Sequence, residues 1–109
     1  MYAISRIMSF KKGHIEHIEA HFKRQPPMLH FPGFIRRDVL LNQQNEDIDI
    51  VRMIIYWESK EAYYRFEGSP EHIAMHRDKN NPHHQKPEGL IDVKREAYHV
   101  IASDIYVSK

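Results

Sequence analysis

A chain of 109 residues, 41% apolar and 28% charged, has the length of one domain (residues 1–109) that can bury roughly 65% of its unfolded surface. A net charge of +1 gives no concentrated basic face, so nucleic acid is excluded as the expected partner. The absence of cysteine excludes disulfides, thiolate metal sites and a cysteine nucleophile, and fits a reducing compartment.

No apolar run approaches the roughly 18 residues of a membrane span, and the N-terminus lacks a basic-then-apolar signal pattern. The expectation is therefore a cytoplasmic chain with no membrane partner. Nine histidines are the one oddity of composition.

The first ten residues alternate as a strand. Tyr2, Ile4, Met8 and Phe10 share one face with Arg6 in their midst, and Ala3, Ser5, Ile7 and Ser9 share the other. Lys11, Lys12 and Gly13 form a turn. Residues 14–24 then read as a helix whose buried stripe is Ile15, Ile18 and Phe22. His14, His17 and His21 run beside that stripe, about 100° further round the helix. Gln25, Pro26 and Pro27 stop it, because proline disfavours helix in the residue before it and cannot continue one.

Residues 34–41 and 48–57 pattern as two strands joined through the polar segment 42–47, an antiparallel hairpin. The second places Val51, Met53, Ile55 and Trp57 on one face. Ser59 is an N-cap, and Ala62, Tyr63 and Phe66 recur at helical spacing until Gly68 ends the run. Ser69 and Pro70 restart it, serine as cap and proline at the first helical position, where its missing N–H costs nothing. On this last helix His72 and His76 stand one turn apart, about 6 Å along the axis. Residues 77–88, with Asn80, Asn81, Pro82, His83, His84 and Pro87, predict a mobile polar loop. Residues 93–102 predict a fourth strand, and 103–109, with Ile105, Tyr106 and Val107, a further edge strand.

The order β-α-β-β-α-β predicts an α+β fold, the ferredoxin-like sandwich in which helices cover one face of a four-stranded antiparallel sheet. Apolar residues occupy both faces of several strands, so the second face needs a cover as well. A second copy of the sheet is the simplest one, which predicts a homodimer.

Four groups of residues could carry chemistry. His76, on a helix backed by Phe66 and Tyr63, reads either as a ligand of haem iron or another metal, or as a surface histidine. The pair His72 and His76 has ligand spacing but lacks the intervening glutamate of a zinc-protease motif. The stripe His14, His17 and His21 reads as a metal site or as a solvated helix shoulder, with Glu16 and Glu19 between; His83 and His84 read as exposed. Arg6, set in an apolar strand face, either snorkels to the sheet edge or pairs with an anion in a cavity, for which its planar fork suits a carboxylate. Lys23 and Arg24 would serve the same anion or the helix dipole. No glycine-rich phosphate loop and no nucleophile elbow is present.

The first strand with its Lys12-Gly13 turn, the run from Trp57 to Ala62, and the run Ser69-Pro70-Glu71-His72-Ile73-Ala74-Met75-His76-Arg77 resemble the antibiotic biosynthesis monooxygenase superfamily. Within it they resemble the haem-degrading monooxygenases of iron acquisition. The resemblance spans residues 2–103 and is most specific over 57–77. It implies a dimeric ferredoxin-like α+β barrel that binds haem, at once substrate and cofactor, in a cleft between helices and sheet. The axial ligand to haem iron falls on His76. The implied chemistry uses O2 and an external electron donor, with an electron-donating reductase as partner, to open the porphyrin and release iron.

Better-known members also carry a tryptophan ten residues before that histidine and an asparagine on the first strand. Here those places hold Phe66 and Arg6, so the implied catalytic set is Arg6, Phe66 and His76. A haem-binding protein without turnover and a cofactor-free monooxygenase of polycyclic aromatic substrates are the alternative readings.

Overall fold

The computed structural model of the chain describes residues 1–77 and 86–108, with all of their side chains except those of Met75 and His76. Strand β1 (Tyr2–Lys11) is its spine. Helix α1 (Ile15–Phe22) leads to β2 (Phe34–Asn42), which turns back into β3 (Ile48–Trp57). Helices α2 (Lys60–Glu67) and α3 (Pro70–Arg77) precede β4 (Leu90–His99). The strands lie in the order β2-β3-β1-β4, every neighbouring pair antiparallel. This is an α+β fold of the ferredoxin-like kind, with the second helix of that plan broken in two.

Alternation along β1 decides which face the helices cover. Tyr2, Ile4, Met8 and Phe10 are buried on the helix side, where β3 adds Val51, Ile55 and Trp57. The helix-side core falls into two clusters. One joins Tyr2, Ile4, Met28, Ile55 and Trp57 to Ala62, Tyr63 and Phe66 of α2. The other joins Met8, Phe10 and Val51 to Ile18 and Phe22 of α1. Met53 packs against both.

Local chemistry sets the helix ends. The Ser59 hydroxyl accepts the Ala62 N–H at 3.1 Å and starts α2. The Gly68 N–H returns to the Tyr64 carbonyl at 3.0 Å and stops it. Ser69, itself buried, accepts the His72 N–H at 3.2 Å and donates to the Phe66 carbonyl at 2.7 Å. One hydroxyl thus caps α3 and ties it to the end of α2. At the far end of α1, Arg37 donates to the carbonyls of Phe22 (2.6 Å) and Arg24 (3.5 Å), which lack partners within the helix. Gly33 has φ +93°, and a Cβ there would stand 2.5 Å from that of Ala62, so only glycine lets the entry to β2 press against α2.

One carboxylate is buried beside the second cluster. Asp49, 1% exposed, accepts from the half-exposed Lys12 ammonium at 2.6 Å, while its second carboxylate oxygen has no partner among the described residues.

Three expectations are corrected. Helix α1 ends at Phe22, short of residue 24, with His14 as its N-cap. Strand β4 runs from Leu90 to His99 instead of 93–102, because β1 pairs Tyr2 with His99 and Phe10 with Leu90. The edge strand expected over 103–109 is absent from its described part, 103–108. The pairing of β4 with β1 closes at Val100, whose N–H donates to the Met1 carbonyl. Ile101, Ile105, Tyr106 and Val107 are consequently exposed. The polar loop expected over 77–88 falls for the most part outside the described residues.

Among the described residues the other sheet face carries no helix. Ala3, Ser5 and Ile7 of β1 lie there beside Ile50, Ile54 and Tyr56 of β3 and the exposed Leu40 of β2. Arg36 stacks over Tyr56 at 4.3 Å and pairs with Asp38 at 3.3 Å at the margin of this face. At the opposite margin a hydrogen bond with Glu96 raises the Tyr98 phenol above its ordinary pKa.

Candidate functional site

The break between α2 and α3 is where side chains of interest gather. Phe66 ends α2 with its ring against Trp57 (5.2 Å between centroids), Phe31 (5.2 Å) and His72 (4.6 Å). His72, the third residue of α3, turns its Nδ1 to the Glu67 carbonyl at 3.0 Å and lies 3.8 Å from the Glu67 carboxylate. Between these residues and the loop before β2 is a cavity of about 370 Å³, walled by His30, Phe31 and Pro32 on one side and Phe66, Glu71 and His72 on the other. Its size is within the range of small-ligand sites, and its walls are mostly aromatic with a few polar groups. A more open groove runs along the outer side of α3, past Pro70, Ile73 and Arg77.

A second feature lies on the sheet beneath. Helix α1 covers the Met8–Phe10 end of β1 and α2 the Tyr2–Ile4 end. Arg6 sits between them, exposed although it belongs to the helix-covered face. Its antiparallel partners are Met53 on β3 and Arg95 on β4. Val93 and Arg95 of β4 are also exposed on this side, so a trough opens over the middle of β1 and β4. Among the described residues Arg6 makes no hydrogen bond or ion pair.

Arg95 is held. It donates to the Tyr63 hydroxyl, which in turn hydrogen-bonds the Glu67 carboxylate, and its guanidinium lies over the Tyr63 ring at 5.6 Å. Glu67 Oε1 is 3.6 Å from the same guanidinium. Glu67 therefore links the trough, through Tyr63 and Arg95, to the cavity, through His72.

The expected site residues fall as follows. Phe66 is in the cavity wall, but only 6% exposed, so its ring is a core residue first. Arg6 stands in the trough. His76 is a residue of α3, one turn beyond His72, and its side chain lies outside the described residues, as do His83 and His84. His14 and His17 lie 4.0 and 3.4 Å from the Glu88 carboxylate. The His21 ring packs edge-on to Phe22 at 4.8 Å. Among the described residues, no three histidine, aspartate or glutamate side chains are placed to hold a metal ion. Lys23 pairs with Glu19 at 3.7 Å, one turn back on α1.

Sequence reasoning missed Arg95, Tyr63 and Glu67 as one network, and His30 and Phe31 as cavity walls. The signal for Arg95 was present: it interrupts Val93 and Ala97 at period two, as Arg6 interrupts Ile4 and Met8. Among the described residues no helix is long and apolar enough to cross a membrane.

The profile of the antibiotic biosynthesis monooxygenase family matches residues 1–78 of the chain. The chain is 30% identical over 102 residues to the haem-degrading monooxygenase HmoA of Bacillus subtilis, covering 94% of this chain and 93% of that protein. Its fold is similar to that of the haem degrader MhuD of Mycobacterium tuberculosis, whose crystal structure has two haems in the active site. The TM-score is 0.70 at 20% identity, over 95% of this chain and 99% of that one. It is also similar to SnoaB, a cofactor-independent oxygenase of Streptomyces nogalater, with a TM-score of 0.61 at 16% identity over 94% of each chain.

Proposed function

Because the chain belongs to the antibiotic biosynthesis monooxygenase family, we propose that it is a haem-degrading monooxygenase, with His76 as the axial ligand and Phe66 and Arg6 shaping the pocket. The observation that carries this reading is the α2–α3 junction. There Ser69 and His72 clamp Phe66 to the helix that bears His76. The 30% identity to HmoA supports it.

The residues present suit such a substrate. A flat, largely apolar macrocycle with acidic edges calls for an aromatic wall, an imidazole and a cation. Phe31 and Phe66 offer the wall, α3 the imidazoles, and Arg6 a guanidinium with no partner among the described residues. Haem, once bound, brings the iron at which O2 is activated with electrons from an external donor; an electron-donating reductase is the implied partner. The chain's own part is to bind, orient and exclude water. His76 fixes the iron side of the substrate. Phe66 is pinned by Trp57, Phe31 and His72 and presents an edge that cannot swing away. Arg6 offers up to five N–H donors to a site in which, among the described residues, no carboxylate neutralises it.

A homodimer is part of the same reading. The helix-free sheet face presents Ile7, Ile54, Tyr56 and Leu40 to solvent in a single copy, and a two-fold partner would cover the same patch on both chains.

Titration of the purified chain with haemin tests the reading. A saturable Soret shift, lost in His76→Ala, is expected, followed by bleaching and ferrous iron release when ascorbate is added in air with catalase present. Binding without catalase-resistant bleaching would make the chain a haem carrier. No binding would return His76 to the surface and favour a cofactor-free oxygenase of polycyclic aromatic substrates.

A further inference from the structure

We propose that Arg6 and Arg95 together form a subsite for a carboxylate of the ligand, with Tyr63 and Glu67 as the positioning pair that holds Arg95 in place. The inference rests on reading the trough as part of the ligand site, and it names what Arg6 is there to recognise.

The two arginines face each other across one rung of the β1–β4 ladder, on the same side of the sheet. Like charges directly opposite in an antiparallel pair are unfavourable. The rungs on either side pair Ile4 with Ala97 and Met8 with Val93, and Met53 flanks Arg6 on β3, so the sheet itself supplies no counter-charge. Among the described residues the carboxylate that reaches Arg95 is Glu67, and it is shared: it bonds the Tyr63 hydroxyl and lies 3.6 Å from Arg95 and 3.8 Å from His72. Arg95 thus has a share of one divided carboxylate, and among the described residues Arg6 has none. Both charges stand in a trough beside the apolar Met53 and Val93.

An acid from outside resolves the arrangement. A carboxylate set between the two guanidiniums can accept paired hydrogen bonds from Arg6, whose fork matches its geometry, and one more from Arg95. Tyr63 and Glu67 hold Arg95 in the half-occupied state that leaves N–H groups free. Met53 and Val93 suit the apolar body beside that acid. The ligand class is therefore a flat aromatic or macrocyclic acid; its neutral ester should be discriminated against.

Absorbance titration of the full chain with haemin and with haemin dimethyl ester tests this. The wild type should favour the acid by about tenfold or more, the worth of charge-assisted hydrogen bonds. Arg6→Met and Arg95→Met should each weaken haemin binding by that order and bring acid and ester together, and Arg6→Lys should recover part of the preference. Glu67→Gln, which leaves both arginines in place, should reduce the preference without raising ester affinity. Equal affinity of the wild type for acid and ester, or an undiminished acid preference in both methionine variants, overturns the subsite. Should a variant fail to fold, salt decides on the wild type: added chloride must weaken the acid more than the ester. If neither form of haemin binds, thermal-shift comparison of anthraquinone-2-carboxylate with its neutral alcohol separates the two ideas. Acid-selective stabilisation lost in Arg6→Met upholds the subsite while the haem reading falls. Equal response to both compounds overturns the subsite itself.

Discussion

The imidazole of His72 lies 4.6 Å from the ring of Phe66, at 53° to it, so the first turn of α3 and the last turn of α2 pack as one unit. Because Phe66 also contacts Trp57 and Phe31, the wall of the cavity and the core beneath it share a single side chain. Substitution there is expected to be felt in stability before it is felt in ligand binding. Phe66→Ala should cost about 3–5 kcal/mol in urea unfolding, the range for a buried ring removed from a packed core. Phe66→Trp should cost about 1–3 kcal/mol through overpacking. A tryptophan accepted at no cost would mean that the ring has free space around it.

Ser69 joins the same two helices through its hydroxyl. Ser69→Ala removes the cap of α3, for which about 1 kcal/mol is expected. Amide hydrogen exchange should rise in the first turn of α3 and stay low through the middle of α2. Haemin affinity should fall with it, since α3 bears His76.

Lys12 neutralises a carboxylate that water does not reach. Lys12→Met should destabilise the chain by on the order of 3 kcal/mol, most of it the penalty of an unpaired buried charge. Asp49→Asn in that background should restore much of the loss. A double-mutant cycle by chemical denaturation reads the coupling directly. Near-zero coupling would show that Lys12 contributes only through its stem.

The helix-free sheet face tests the homodimer. Leu40 is half exposed there and belongs to neither core cluster, so Leu40→Arg should leave the fold of one copy intact. Sedimentation should show the wild type at twice the 13.1 kDa chain mass and the variant at the chain mass. A wild type that sediments as a single chain would remove the dimer from the reading.

Much of this molecule is legible in its sequence, because the relevant physics is local. Period two in residues 2–10 and 51–57 assigns the helix-covered face, and β3 spans the predicted 48–57. Ser59, Gly68, Ser69 and Pro70 place the ends of α2 and α3, since caps act on N–H and C=O groups within four residues of them. Arg6 is conspicuous as a cation among apolar neighbours on one face.

Tertiary structure alone decided the rest. That Arg6 meets Arg95 depends on the register of strands almost ninety residues apart, which no local pattern encodes. That Asp49 is buried depends on Lys12, carried over it by the turn after β1. That Phe66 is a core ring as much as a cavity wall depends on the loop holding Phe31, whose path follows from Gly33 pressing against Ala62. The strand expected in the C-terminal tail fails for a similar reason. Apolar alternation makes a segment able to pair, but whether it docks on an edge of the sheet is a tertiary matter, and residues 101–108 pair with none of the four strands.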